Sequence, residues 1–219
     1  MAKLSDFLSL VLPFVPGCPE PVALQHIRNT CIDFCMASHV WQQTLEPITT
    51  VADTNIYGID APLTSDVIEI KHAWYKSTRL KIINGDVRDI KAEFYNSEFP
   101  DAHVIKGDPR TLLVDYEQKV FSVSPVPEDA VSKALTIRVA LKPTRNTMTV
   151  PDFLLTDYEY AITQGAIGRI AEIPAQAFTS TAMALSAKSA YAVERHNAAV
   201  RANKTFARSQ TSVAQRPFA

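Results

Sequence analysis

The stretch FTSTAMALSAKSAYAVERHNAAVRANKTFAR, residues 178–208, contains no glycine and no proline and is dense in alanine, the residue that costs least in a helix. At ~1.5 Å per residue it predicts a rod on the order of 45 Å long. A single helix of this kind is marginal in water, so it needs other helices to pack on. One lies just upstream, where Leu155, Tyr158, Ile162, Gly165, Ala166, Arg169, Ile170 and Ile173 recur at helical spacing before Pro174 closes the run. Others lie at the opposite end of the chain. Ser5 can cap a short apolar turn from Asp6 to Leu12, stopped by Pro13 and Pro16. A longer helix starts around Pro19 to Pro21 and is expected to run to about Thr44. Its apolar stripe is Ala23, Ile27, Cys31, Phe34, Ser38, Trp41 and Leu45, with Gln25, Arg28, Asp33 and Gln42 elsewhere around the cylinder.

Between the helical ends the period changes to two. Ile48 to Val51, Ile56 to Ile59, Val67 to Tyr75 and Arg79 to Ile83 are rich in β-branched and aromatic residues, and the Lys76-Ser77 break lets the last two pair as a hairpin. Asn84-Gly85-Asp86 turns the chain into an expected short helix, Val87 to Tyr95. Strands resume at Thr111 to Asp115, Lys119 to Val123 and Leu135 to Leu141. In the last of these Leu135, Ile137, Val139 and Leu141 face one way and Thr136, Arg138 and Ala140 the other. The fold class is therefore α+β. Residues 1–45 plus 149–208 form a helical domain from both termini, residues 46–148 an inserted antiparallel β module, and residues 209–219 an extended tail.

Composition limits the partners. With 22 Lys+Arg against 23 Asp+Glu, the 219-residue chain has a formal net charge of -1 and no general field to hold it on nucleic acid. Any contact with DNA must be local. Cys18, Cys31 and Cys35 fit neither a zinc ribbon nor a secreted disulfide framework, which points to a reducing site of folding. Asp6 and Pro13 interrupt the apolar N-terminus, which reads neither as a signal peptide nor as a membrane span.

Signatures of common enzymes are missing: no Gly-rich phosphate loop, zinc helix or nucleophile elbow is written here. Cys31, Cys35 and His39 stand at successive i+4 steps and could line one helix face as metal ligands, but Cys31 falls on the apolar stripe and no fourth ligand is marked. Asp152, Asp157 and Glu159 resemble a carboxylate pair, yet each sits in or before the first turn of a helix, where negative charge complements the dipole. His26, His72, His103 and His196 are scattered. Gly165, Ala166 and Gly168 place small residues mid-helix, where something must approach closely. That approach is either packing within the subunit or contact with a neighbour. From Lys188 onward the chain is basic, with Arg195, Arg201, Lys204, Arg208 and Arg216 relieved only by Glu194, and Phe206 and Phe218 stand among the cations. This end reads as a segment that docks on a partner.

Several of these residues also carry a resemblance. Ile27-Arg28-Asn29-Thr30-Cys31-Ile32-Asp33-Phe34-Cys35, followed by Ser38, Trp41 and Leu45 and preceded by Val15-Pro16-Gly17-Cys18-Pro19, is similar to the opening helix of tailed-phage head-to-tail adaptor proteins. Leu141-Lys142-Pro143-Thr144, Pro151-Asp152-Phe153-Leu154 and Gly165-Ala166-Ile167-Gly168-Arg169-Ile170 resemble that family's strand exit and its Gly-Ala helix. The likeness spans almost the whole chain.

It implies a structural virion protein at the head–tail junction, neither an enzyme nor a cofactor binder. Its partners would be further copies in a twelve-subunit ring, the portal protein, a downstream tail or nozzle protein, and double-stranded genomic DNA passing through the channel without sequence-specific binding. No membrane is implied. Arg201, Lys204, Phe206, Arg208, Arg216 and Phe218 would then contact the portal, and Gly165, Ala166, Gly168 and Trp41 would serve subunit or helix packing. The alternatives are a tail tubular or gatekeeper protein of a short-tailed phage and, in another class, a metal-dependent enzyme.

Overall fold

A computed structural model describes residues 1–84 and 105–206, with side chains through Asn203. The fold is mixed α+β. The first strand, β1 (Ala2–Lys3), pairs antiparallel with β11 (Thr149–Val150), tying the chain start to the stretch before the C-terminal helices. A 3-10 turn (Leu4–Phe7), α1 (Leu8–Val11) and a second 3-10 turn (Leu12–Phe14) follow. The Asp6 carboxylate, not Ser5, accepts the entry hydrogen bond, from the Lys3 N–H at 2.9 Å.

Helix α2 (Glu20–Ser38) starts after Pro19 and buries Ala23, Ile27, Cys31, Phe34 and Cys35 along one stripe. It stops at Ser38, six residues short of the expected end. His39 adopts a left-handed conformation (φ 51) and donates its N–H to the Cys35 carbonyl, which caps the last turn. The chain then runs straight into β2 (Gln42–Thr44). Trp41 and Leu45 are buried, but from the strand side: Leu141 N–H donates to the Trp41 carbonyl at 2.8 Å and Leu45 N–H to the Ile137 carbonyl at 3.0 Å.

The long strand β10 (Val131–Pro143) organises one sheet. It pairs antiparallel with β2 and β3 (Ile48–Thr50) on one edge and with β5 (Ser65–Tyr75) on the other, and β6 (Thr78–Arg79) closes a hairpin on β5. Leu135, Ile137, Val139 and Leu141 are buried as the alternation requires, and so is Ala140, on the face expected to be wet. A second sheet has the order β4 (Ile56–Gly58), β9 (Val120–Ser124), β8 (Thr111–Asp115), β7 (Lys81–Asn84). Here the expectation of a purely antiparallel module fails, because β7 and β8 run parallel. The single strand expected over Arg79 to Ile83 is broken at Leu80. Its N–H bonds back to the Ala73 carbonyl at 2.9 Å, whereas the next N–H, of Lys81, bonds to the Arg110 carbonyl at 2.8 Å in the other sheet. The helix expected over Val87 to Tyr95 lies outside the described residues.

Three helices complete the fold: α3 (Asp152–Thr156), α4 (Glu159–Ile170) and α5 (Thr181–Phe206). The periodic run from Leu155 to Ile173 is thus two helices, interrupted where Tyr158 leaves helical geometry (φ -127, ψ 18). Ser180 caps α5, its Oγ accepting the Met183 N–H at 3.3 Å, so the helix begins three residues after Phe178. Its 26 residues span ~39 Å. One contiguous apolar core joins Phe7, Ile27 and Phe34 to Ile70, Leu112, Phe121 and Ile137 and to Leu154, Ile162 and Tyr191. Both large sheets and the terminal helices share it.

Candidate functional site

Where α2, α4 and α5 meet, two glycines set the spacing. A Cβ on Gly165 would lie 2.4 Å from Thr30 Cγ2 on α2 and 2.8 Å from the Tyr191 ring on α5, so only glycine lets these helices approach as they do. On Gly168 it would meet Lys188 Cγ at 2.9 Å and the Lys188 backbone nitrogen at 3.3 Å. Ala166 is fully buried between them. The close approach at this small-residue face is therefore made within the chain. Trp41 takes no part in it, being held at the entry to β2.

Asp33 pins the same three helices together. Its Oδ2 accepts the Tyr191 hydroxyl at 2.9 Å and lies 3.2 Å from the Arg169 guanidinium and 3.5 Å from that of Arg195. Burial, and after it the negative charge of Asp33, holds the Tyr191 phenol far above its ordinary range, so it stays a neutral donor. The Arg195 guanidinium also lies over the Tyr191 ring, 5.5 Å from its centroid. Phe34 packs beneath, 5.1 Å from the Tyr158 ring and 6.3 Å from Tyr191. Sequence reading missed Asp33 as a hub because its partners lie 136 to 162 positions away on two other helices, and no local pattern links them.

This hub changes the reading of the basic end. Lys188 pairs with Glu172, and Arg195 with Asp33, so two of the cations counted toward a docking segment are used inside the subunit. Arg201 is exposed and acts electrostatically on Tyr158. Lys204 and Phe206 fall in the last turn of α5, with side chains outside the described residues, and Arg208, Arg216 and Phe218 lie wholly outside them. The surface α5 does present is its outer face, with Ala182, Leu185, Ser189, Ala192, Val193 and His196 exposed at helical spacing. Leu185 and Val193, two turns apart on this face, are 65% and 56% exposed.

The residues weighed for chemistry are dispersed. Cys31 and Cys35 are completely buried in the core, and burial pushes the Cys31 thiol up to about 12 and the Cys35 thiol well above its usual value. Metal ligation requires the thiolate, which this surrounding opposes. His39, beyond the helix end, faces Glu69 on β5 at 3.5 Å. Asp152 pairs with the N-terminal ammonium at 2.7 Å, Asp157 accepts the Thr156 hydroxyl at 3.2 Å, and Glu159 opens the first turn of α4. Among the described residues no group of three His, Cys, Asp or Glu is placed to hold a metal ion. No described helix is long and apolar enough to cross a membrane.

No family model matches the chain, and no curated protein matches it either.

Proposed function

We propose that this chain is a structural subunit of a ring that joins the portal of a tailed-phage head to the tail and extends the DNA channel. In this reading both terminal segments build a helical wedge for the ring wall, and the long helix with the tail after Arg208 reaches the portal. Function here is mechanical, with no bond made or broken. One observation carries the proposal: a helix of 26 residues locked on its inner face by Gly165, Gly168 and Asp33 yet exposing Leu185 and Val193 outward. A rigid helix with an open apolar face is what a closed ring of identical wedges needs, since closure multiplies a modest contact into a stable assembly. The order and spacing of the motifs quoted above support the same family.

The sheets favour a second reading within that class. A β portion with two sheets of four and five strands is more than a helical adaptor needs and suits a tail tubular or gatekeeper protein, which would engage the nozzle below as well. The experiment is deletion of residues 209–219. The truncated monomer should keep its helical circular-dichroism signal and fail to join portal-bearing heads; joining them normally would refute the assignment of that segment.

A further inference from the structure

We propose that the basic groove along the open side of α2 receives the N-terminal end of α4 from a second copy of this chain, with Tyr160 as the anchor. The groove encloses about 630 Å³ and is lined by Arg28, Ile32, Asp33 and Met36 of α2, by Arg145 after β10 and by Arg169 of α4. Three arginines meet one carboxylate there, and Asp33 is already shared by Arg169, Arg195 and the Tyr191 hydroxyl. Arg28 donates its Nε–H to the Thr147 carbonyl at 2.9 Å and an Nη2 N–H to the Met148 sulfur, which holds it in place without neutralising it. Arg145 is exposed and has no ion-pair or hydrogen-bond partner among the described residues. Between these cations lie half-buried Ile32 and, one turn on, Met36, which is 46% exposed. An apolar floor under a basic rim suits an acidic segment that carries an aromatic anchor.

The first turn of α4 is such a segment. Tyr160 is 58% exposed, Glu159 beside it is exposed, and exposed Asp157 stands just before the helix. Glu159 has no ion-pair or hydrogen-bond partner among the described residues, and Asp157 accepts the neutral Thr156 hydroxyl. Arg201 of α5 also acts at this end, on Tyr158, and leaves two acids to one cation.

Position selects a second copy as the occupant. Arg169 follows Tyr160 on α4 by nine residues, about two and a half turns, so the two side chains leave the helix in opposite directions, ~14 Å apart along its axis. A patch and its complement that face opposite ways do not meet within one molecule, and they do not pair reciprocally across a two-fold axis. They are placed for a head-to-tail contact repeated from copy to copy, which closes into a ring where the rotation allows. In resting on the ring reading above, this contact adds the surfaces by which neighbours meet.

The test is sedimentation velocity of the free full-length chain at low salt, from dilute solution, where it is a single subunit, up to ~1 mM. The wild type should form dimers and longer species at the upper end. Arg145→Glu and Glu159→Arg should each weaken this association about tenfold or more by setting like charges against each other, and Tyr160→Ala should weaken it as well. An equimolar mixture of the two charge variants should associate again, because the acidic end of the first meets the unaltered groove of the second, and the reversed end of the second meets the reversed groove of the first. Lys133→Glu, exposed at the other end of β10 and ~33 Å from Pro143, should change nothing. All four altered side chains are exposed, and an unchanged circular-dichroism signal shows that each variant is folded. A wild type that stays monomeric at ~1 mM, charge variants that associate as it does, a mixture no better than its components, or association that stops at dimers overturns the proposal. A chain that joins a portal ring yet fails these tests refutes this contact alone, whereas charge-swapped association by a chain that ignores the portal leaves the contact standing and removes the ring reading.

Discussion

Gly165→Ala offers a sharp test because two effects oppose each other there. Mid-helix, the substitution should stabilise α4 by ~1 kcal/mol through propensity. The added Cβ, however, would sit 2.4 Å from Thr30 Cγ2 and 2.8 Å from the Tyr191 ring. Neither neighbour yields easily. Thr30 is branched and its hydroxyl is bonded to the His26 carbonyl at 2.8 Å, while Tyr191 is tethered to Asp33 at 2.9 Å. Overpacking at such a site costs about 1–3 kcal/mol, so the net change should be a destabilisation of up to about 2 kcal/mol. Urea denaturation followed by circular dichroism reads it as a lowered midpoint at constant slope. Thr30→Ser removes the offending methyl and keeps the hydroxyl, so the double variant should recover part of the loss. A Gly165→Ala protein more stable than the wild type, showing the propensity gain with no packing cost, would falsify the close three-helix contact.

Raising pH should weaken the fold through Cys31. Its folded thiol, pushed up to about 12, keeps its proton while the unfolded thiol titrates near 9, so stability present below about pH 9 is lost as pH rises toward 12, by about 1.4 kcal/mol per unit from this one group. Cys31→Ala should flatten the dependence measured between pH 8 and 10; an identical slope would show that the thiol is not buried as described. Native protein treated with a maleimide and analysed by mass spectrometry should carry no label on Cys31 or Cys35, and rapid labelling of either contradicts the core. Leu185→Arg and Val193→Arg should leave monomer stability within about 0.5 kcal/mol, as exposed sites do, while abolishing ring assembly; normal rings would remove the outer face of α5 from the interface.

The parts of the fold legible in sequence are those where one period holds. The strand Thr111–Asp115 has the expected bounds, the strand expected over Leu135 to Leu141 lies within Val131–Pro143, and the alanine-rich helix starts at Thr181. Errors gather where two periods agree. Trp41 and Leu45 continue the stripe of α2, but residues four apart share a face in a strand as well as in a helix, so apolar spacing does not mark the change at His39. The positive φ of a histidine there, with no Gly or Pro, leaves little trace. The break at Leu80 is equally silent, because the residue serves as the last anchor of one sheet and the step into the next, and parallel pairing of β7 with β8 is a tertiary choice. Gly165 and Gly168 announced a close approach, but not which helices make it. Asp33 depends on contacts between helices far apart in sequence, and therefore has no signature along the chain.

The ring assignment stands most directly on mass. Native mass spectrometry of the purified chain, alone and after mixing with an isolated portal ring, should give a single subunit first and then one complex carrying as many copies as the portal has subunits. A chain that stays monomeric beside the portal, or adds in variable number without closing, contradicts it.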